Sequence, residues 1–315
     1  MPHNGLHEEG RAVPDQDSRT RVIIENVTPR VDCGEFPIKR IVGDTVVVEA
    51  DVFADGHDAI SCVLLYKREG EPGWTEAPME PLINDRWQGS FVVQEQGRYL
   101  YTVSAWVDHY KSWAHALAKR VEANQDITVD LAIGAEMIAA AGKRAPAREA
   151  GWHDIYAESV RSGGKDGIER AFSAELAGLM QRHAERRFAA TYERTFGIVV
   201  DRERARFGAW YELFPRSTSP VPGRHGTFQD LIAHLPYVAS MNMDVLYLPP
   251  IHPIGRSFRK GRNNSTTAGP DDPGSPWAIG AQEGGHKAIH PELGTIEDFR
   301  HLVAAAAQHG IELAL

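Results

Sequence analysis

The first regular pattern along the chain is an alternation of apolar and polar residues within residues 21–125. It is clearest in segment 99–107, where every second position is apolar: Tyr99, Tyr101, Val103, Ala105 and Val107. The runs 45–50 and 62–66 are rich in β-branched and apolar residues, and turn-forming Gly, Asp and Pro separate the runs. Short strands with this spacing predict an antiparallel β-sandwich.

The spacing becomes helical within residues 126–195. Residues at steps of three and four predict one helix with an apolar face, formed by Ile168, Phe172, Leu176, Leu179, Met180, His183 and Phe188. Gly163 and Gly164 separate this helix from an earlier one around 152–160, and an alanine-rich segment around 135–141 predicts a third. We interpret this segment as a helical insertion too small for much core of its own, which packs on the sandwich or on another subunit.

Strand and helix patterns alternate after residue 196. The strand patterns lie at 207–213, 245–248 and 311–315, and the helix patterns between them at 227–241 and 295–309. Repeated strand–helix–strand units predict parallel strands with right-handed crossovers. The pattern alone leaves open both a (β/α)8 barrel and an open doubly wound sheet.

Local signals mark both ends of the last helix. Thr295 is a good N-cap residue, and Asp298 places a carboxylate in the first turn, where the helix dipole favours it. Gly310 lies where a left-handed residue usually ends a helix.

Composition narrows the class of protein. The chain has 315 residues, with 34 Lys and Arg against 43 Asp and Glu and a net charge of −9, which gives no support for a nucleic acid or an anionic membrane as partner. No stretch approaches the roughly 20 apolar residues that span a bilayer. Residues 1–20 are polar and acidic, which predicts a disordered tail and no signal peptide.

Two cysteines cannot form a disulfide framework, so we expect two reduced, buried thiols and a cytoplasmic protein.

The most distinctive segment is a loop from residue 251 to about 294. Its length of about 40 residues exceeds the usual two to six between a strand and a helix, and such loops often carry function. Four cations lie within seven residues, namely Arg256, Arg259, Lys260 and Arg262. Asn263 and Asn264 add amides suited to sugar hydroxyls or phosphate oxygens. A solvated basic loop is the alternative, but the flanking glycines and Phe258 favour a shaped one.

Aromatic and imidazole side chains in the same loop suggest further chemistry. The face of Trp277 suits a sugar ring, although a loop tryptophan can also serve local packing. His252, His286 and His290 lack a tight ligand spacing and a matching carboxylate pattern. We therefore expect no metal site and no other cofactor.

Several of these motifs resemble a known family. Residues 210–217, WYELFPRS, resemble the first barrel strand of the α-amylase superfamily (glycoside hydrolase family 13). Residues 245–255, VLYLPPIHPIG, resemble its second strand and following loop. Within that superfamily, FRKGRNN at 258–264 and PWAIG at 276–280 resemble the α-1,4-glucan:maltose-1-phosphate maltosyltransferases. The resemblance extends from about residue 21 over nearly the whole chain.

The resemblance implies a multidomain fold. Its parts would be an immunoglobulin-like β-sandwich over residues 21–125, a helical insertion over 126–195, and the truncated start of a catalytic (β/α)8 barrel over 196–315. It also implies a homodimer formed through the sandwich and the insertion.

The implied activity is a retaining transfer of maltosyl units from α-maltose 1-phosphate to the non-reducing end of an α-1,4-glucan. In this family a carboxylate nucleophile and an acid/base carboxylic acid carry the chemistry. By the same resemblance, Lys260 matches the donor-binding lysine, and Gly261 and Asn264 would shape the same pocket.

The catalytic carboxylates of the superfamily follow its fourth, fifth and seventh barrel strands, whereas this chain shows three strand patterns. We therefore assign no catalytic residue and expect those residues beyond Leu315, with Glu212 and Asp244 serving structure. The leading interpretation is an N-terminal fragment, inactive alone, of a maltosyltransferase. The alternatives are a non-catalytic dimerisation or glucan-binding module, and another glucan enzyme of the superfamily, such as a branching or trehalose-forming enzyme.

Overall fold

The computed structural model describes residues 19–315, so the tail expected over residues 1–20 lies almost wholly outside the described residues. The chain divides into two compact units, the first ending at Glu203 and the second spanning Arg204–Leu315. Within residues 19–315, every helix is too short or too polar to cross a membrane.

The first unit begins with eight strands, and two more follow its helices. The early strands are β1 (Val22–Thr28), β2 (Ile38–Ile41), β3 (Thr45–Ala54), β4 (Ile60–Arg68), β5 (Thr75–Pro78), β6 (Glu80–Pro81), β7 (Arg86–Val92) and β8 (Gly97–Val107). The late strands are β9 (Ala190–Thr191) and β10 (Phe196–Asp201).

These strands form two sheets that share one core. The first has the order β1-β3-β7-β6, and the second has the order β2-β10-β8-β4-β5, with β9 also paired to β8. All pairs are antiparallel except β2 with β10. Val48 of the first sheet and Leu64 and Tyr101 of the second are fully buried in the common core. The strand predicted at 99–107 is confirmed within β8.

Strand β10 was expected in the C-terminal part, because that part was predicted to begin at residue 196. It instead lies between β2 and β8, with Ile198 opposite Ile38 on one side and Tyr99 on the other. Its buried Phe196, Ile198 and Val200 alternate with half-buried residues, as expected for a strand that adds one face to a core.

The two cysteines differ in environment. Cys62 is buried on β4, and burial raises the pKa of its thiol to about 12. Cys33 is exposed, so the expectation of two buried thiols is wrong for this residue. Its backbone lies in a tight turn at φ 54° rather than in a strand.

Five helices lie between β8 and β9, namely α1 (His109–Glu122), α2 (Thr128–Gly142), α3 (Ala147–Ser162), α4 (Gly164–Ala171) and α5 (Ala174–Arg182). They share a core of their own, which includes Leu117, Ile138 and Leu176. The sequence did not predict α1, because its residues fall inside the range expected to be β structure.

Asp108 explains why α1 begins where β8 ends. Its carboxylate accepts a hydrogen bond from the backbone N–H of Lys111 at 2.9 Å, which caps the helix, and another from the Ser61 hydroxyl at 2.7 Å. Because Ser61 belongs to β4, one buried carboxylate fixes the first turn of the helix to the neighbouring strand.

The single helix predicted over 168–188 is two helices. The first ends at Ala171, and Ser173 caps α5 by accepting a hydrogen bond from the backbone N–H of Leu176. The apolar spacing continues through this break, since Leu176 and Met180 enter the same core as Ala171 of α4. The spacing therefore predicted the buried Leu176, Leu179 and Met180 correctly, but Phe172, predicted on the same face, is 42% exposed. It also predicted the helix too long, since α5 ends at Arg182.

The second unit alternates strands and helices: β11 (Trp210–Glu212), α6 (Phe228–Ser240), β12 (Val245–Tyr247), α7 (Ile296–Gln308) and β13 (Glu312–Ala314). The strands pair in parallel in the order β11-β12-β13, which confirms the predicted parallel arrangement. Capping boxes at Thr227 and Thr295 begin the two helices, and Gly310 follows α7 at φ 72°.

The first strand is shorter and more exposed than predicted. It begins at Trp210, and Phe207 is 81% exposed. Asp244 has the structural role expected of it, because its carboxylate accepts the backbone N–H of Ala209 at 2.8 Å and its carbonyl accepts that of Glu312 at 2.9 Å. It thus links the starts of the three strands.

We predict that Gly134→Ala lowers the free energy of unfolding by about 1–3 kcal/mol, since a Cβ at this position would collide with the buried ring of Trp113. The matched control is Gly151→Ala in α3, where an added Cβ meets nothing within 4 Å and should stabilise the helix by up to about 1 kcal/mol. Urea denaturation measures both values. Equal stabilisation by the two substitutions would contradict the packing of α1 against α2.

Candidate functional site

The candidate site is the loop between β12 and α7, which leaves the carboxyl end of a parallel strand. Ligand sites of parallel sheets lie at this edge. Both ends of the loop are anchored by buried apolar side chains of the second unit, namely Ile251, Ile254 and Leu293. The loop therefore starts and ends on a fixed base.

Its two arms run antiparallel and are hydrogen-bonded to each other. The N–H of Gly255 donates to the carbonyl of Ala278 at 2.6 Å, and the N–H of Gly280 donates to the carbonyl of Pro253 at 2.9 Å. Ile254 forms an isolated β-bridge with Ile279 between these bonds. The arms thus form a short hairpin that carries residues 256–277 at its tip.

Two arginines hold the tip. Arg259 donates from Nη2 to the carbonyl of Pro273, and Arg216, which follows β11, donates from Nη1 to the carbonyl of Gly274, both at 2.8 Å. Burial lowers the pKa of Arg216, because desolvation disfavours its charge. Arg216 was quoted in the first-strand motif without a role, and its place directly after a strand is the sequence signal that could have identified it.

Residues 260–265 form a tight turn at the tip. The N–H of Gly261 donates to the carbonyl of Ser265 at 2.9 Å, and that of Ser265 donates to the carbonyl of Arg262 at 3.0 Å. Asn263 and Asn264 have left-handed backbones, with φ of 49° and 60°, which asparagine tolerates better than most residues. The turn contains both Gly261 and Asn264, which the resemblance predicts in one pocket.

Lys260 lies on the exposed side of this turn. Within residues 19–315 its ammonium group makes no hydrogen bond or ion pair, so all three of its N–H donors face solvent. Arg262, two residues further along the chain, is also exposed. By contrast, Arg256 pairs with Glu283 at 3.2 Å. The basic cluster thus divides into cations that hold the loop and cations that are available to an anion.

The aromatic residues of the loop differ in how they pack. Trp277 is 54% exposed, and its ring meets Phe214 edge to face at 5.6 Å between centroids. One part of Trp277 therefore serves packing, and the remainder faces solvent. Phe258, three residues from Gly261, is fully exposed.

The histidines pair differently from the grouping considered in the sequence. His290 stacks on His225 at 5.4 Å, whereas His252 lies beside His286 at 5.7 Å. Burial and the nearby His225 lower the pKa of His290. The possible ligand atoms of His225, His290 and Glu292 lie within 4.8 Å of one another.

The two histidine side chains already have structural partners. Nδ1 of His225 donates to the carbonyl of Gly226 at 2.8 Å, and Nδ1 of His290 accepts the N–H of Glu292 at 3.2 Å. The second bond leaves the proton of neutral His290 on Nε2, which is unfavourable for a ligand atom. The geometry therefore gives these residues a structural role, and we assign no metal to them.

Comparison with known proteins places the chain in a family. The sequence profile described as "Alpha-1,4-glucan:maltose-1-phosphate maltosyltransferase, domain N/S" matches residues 20–202. A protein of that name from Chlorobaculum tepidum is 48% identical over 300 residues, which cover 95% of this chain and 45% of the relative. The relative of the same name from Methylacidiphilum infernorum is 45% identical over 329 residues, covering 100% of this chain and 47% of the relative.

These relatives are maltosyltransferases by name. The chain belongs to the α-1,4-glucan:maltose-1-phosphate maltosyltransferase family, as its loop motifs suggested. It spans about half the length of the curated relatives it matches. A solved pullulanase in complex with maltotetraose also matches, at 11% identity over 89% of this chain and 32% of that one, but its TM-score of 0.25 supports no structural argument.

We predict that Gly261→Ala opens the turn, since an added Cβ would collide with the carbonyl oxygen of Thr267. Hydrogen exchange of the Ser265 amide should become at least about tenfold faster. Gly285→Ala in the same loop is the control, because a Cβ there meets nothing within 4 Å. Unchanged protection at Ser265 in both variants would show that the turn does not depend on this close approach.

Proposed function

We propose that this chain is the N-terminal part of an enzyme that transfers maltosyl units from α-maltose 1-phosphate to the non-reducing ends of α-1,4-glucans. The observation that carries the proposal is 48% identity over 300 residues to a relative with that name. The activity is proposed for a polypeptide of the relatives' length, because this chain covers 45% of that protein. The carboxylates of the retaining reaction are proposed to follow Leu315.

The fold supports a chain built from three structural parts. We propose an immunoglobulin-like sandwich, a helical insertion and the first strands of a (β/α)8 barrel, in this order and close to the predicted bounds of 21–125, 126–195 and 196–315. Two elements cross these bounds, since α1 belongs with the helices and β10 with the sandwich. The two sheets with one core support the first part, although β10 adds a late strand to it. Three parallel strands in sequence order, with a helix between each pair, are what the start of a barrel requires.

Lys260 is proposed to bind the donor. Its ammonium can approach a phosphate or hydroxyl oxygen as a point charge, and no partner in the described chain competes for it. Gly261 allows the chain to turn under the lysine, and Asn264 places an exposed amide on the same turn. We expect the donor phosphate to be held by charge and the sugar hydroxyls by amide hydrogen bonds.

The activity itself is tested with the polypeptide extended to the length of its relatives. Purified protein should release phosphate from α-maltose 1-phosphate when an α-1,4-glucan is present, and the glucan should grow by two glucosyl units. The 315-residue chain serves as the inactive comparison. Activity on trehalose or on unphosphorylated glucan alone would instead favour another enzyme of the superfamily.

Lys260→Ala in the extended polypeptide should lower kcat/KM for α-maltose 1-phosphate at least about tenfold, or about 1.4 kcal/mol, because the positive charge facing the donor is lost. Lys287→Ala is the matched control, since Lys287 is an exposed lysine of the same loop. Phosphate release under steady-state conditions measures both variants. Equal kinetics in the two variants would remove Lys260 from the donor site.

We also propose a homodimer formed through the first unit. Its helices expose apolar side chains that a monomer would leave in water: Val129 and Ile133 lie one turn apart on α2, and Trp152 and Ile155 lie one turn apart on α3. Such unpartnered apolar residues are typical of subunit contacts.

If this face forms the dimer, Ile133→Asp should shift the protein to a monomer, because a buried unpaired carboxylate is costly at an interface. Light scattering after size-exclusion chromatography measures the mass. Ile83→Asp is the control, because Ile83 is also exposed but lies between strands β6 and β7. A dimer that persists in the Ile133 variant would place the interface elsewhere.

A further inference from the structure

Phe258 stands out among the residues of the candidate site. Its side chain is 100% exposed, although it is one of the largest apolar groups in the chain. Among the described residues it makes no aromatic or hydrophobic contact that would account for its place in the fold. Within residues 19–315 the fold therefore gains no burial from this ring.

The backbone at Phe258 is also unfavourable for its residue type. Its φ of 53° lies in the left-handed region, where Gly, Asn and Asp are common and a bulky aromatic residue is rare. Strained positions of this kind occur at ligand clamps and active sites when the surrounding structure holds them in place. Within residues 19–315 no contact offsets the full exposure and the backbone strain, so we look for the stabilising contact in a bound ligand.

The surrounding structure does hold this position. Arg256, two residues before Phe258, pairs with Glu283 at 3.2 Å. Arg259, the next residue, donates to the carbonyl of Pro273 at 2.8 Å. These contacts join the residues on either side of Phe258 to the other half of the loop. The ring is thus presented to solvent from a fixed stretch of backbone.

The chemistry beside the ring indicates the ligand class. A phenyl face attracts the apolar C–H face of a pyranose ring, whereas the exposed ammonium of Lys260, two residues further on, attracts oxygen atoms. We propose that Phe258 is a stacking subsite for a glucosyl ring next to Lys260, an inference that rests on the proposed function. The ring could belong to the maltosyl group of the donor or to the end of the glucan acceptor.

The experiment uses the extended polypeptide with Phe258→Ala and Phe258→Trp. Each substrate is varied while the other is saturating. We expect the alanine variant to raise the KM of one substrate about three- to tenfold with little change in kcat, and the tryptophan variant to retain a KM near the wild-type value. A raised KM for α-maltose 1-phosphate assigns the subsite to the donor, and a raised KM for glucan assigns it to the acceptor.

Phe207→Ala is the matched control, because Phe207 is 81% exposed but lies outside the loop. Phe258→Gly is a second control variant, since glycine accepts the left-handed backbone without strain. This variant should unfold at the same or a higher temperature than the wild type while showing the raised KM. A KM change that follows a loss of stability would overturn the stacking role, as would unchanged KM values for both substrates in Phe258→Ala.

Direct binding separates failure of this inference from failure of the proposed function. Calorimetry with a linear malto-oligosaccharide requires no turnover. If the wild-type protein shows no transfer but binds the oligosaccharide more tightly than Phe258→Ala does, the proposed activity is wrong and the subsite stands. If transfer occurs and Phe258→Ala matches the wild type in both kinetics and binding, the subsite is wrong and the activity stands.

Discussion

A long loop without helices or strands must find partners for its own backbone groups, and the candidate site depends on how this chain meets that constraint. The arms of the loop pair with each other around Ile254 and Ile279. Toward the tip, the guanidinium groups of Arg216 and Arg259 donate to successive carbonyls at 274 and 273. The carbonyl of half-buried Gly274 would be costly if unpaired, and both charge-assisted bonds stabilise a loop shape that apolar packing alone could not fix.

Much of the fold was visible in the sequence, because local signals determined it. The N-cap Thr295, the helix that follows Thr227 and the period-two segment within β8 each depend on neighbouring residues, and each was found where predicted. The return of β10 to the early sheet depends on pairing with β2 and β8, which are distant in sequence. Such pairing has no local signature, so periodicity could identify the strand pattern but not its sheet.

Less of the candidate site than of the fold could be predicted from the sequence. Composition and motif resemblance identified the basic loop and placed Lys260, Gly261 and Asn264 together. They could not distinguish the cations that hold the loop from those that remain available, because that difference arises from tertiary contacts such as Arg256 with Glu283. Phe258 appeared in the sequence only as a hint of a shaped loop, since neither its exposure nor its backbone conformation follows from residue type.

The hairpin arms have a consequence for how this loop can change. They close the loop at its base through Gly255 with Ala278 and Pro253 with Gly280. A segment closed in this way tolerates variation in length and composition without loss of the parallel sheet beneath it. The pairing of the three parallel strands therefore does not depend on the length of the tip, because the hairpin arms close the loop before the tip begins.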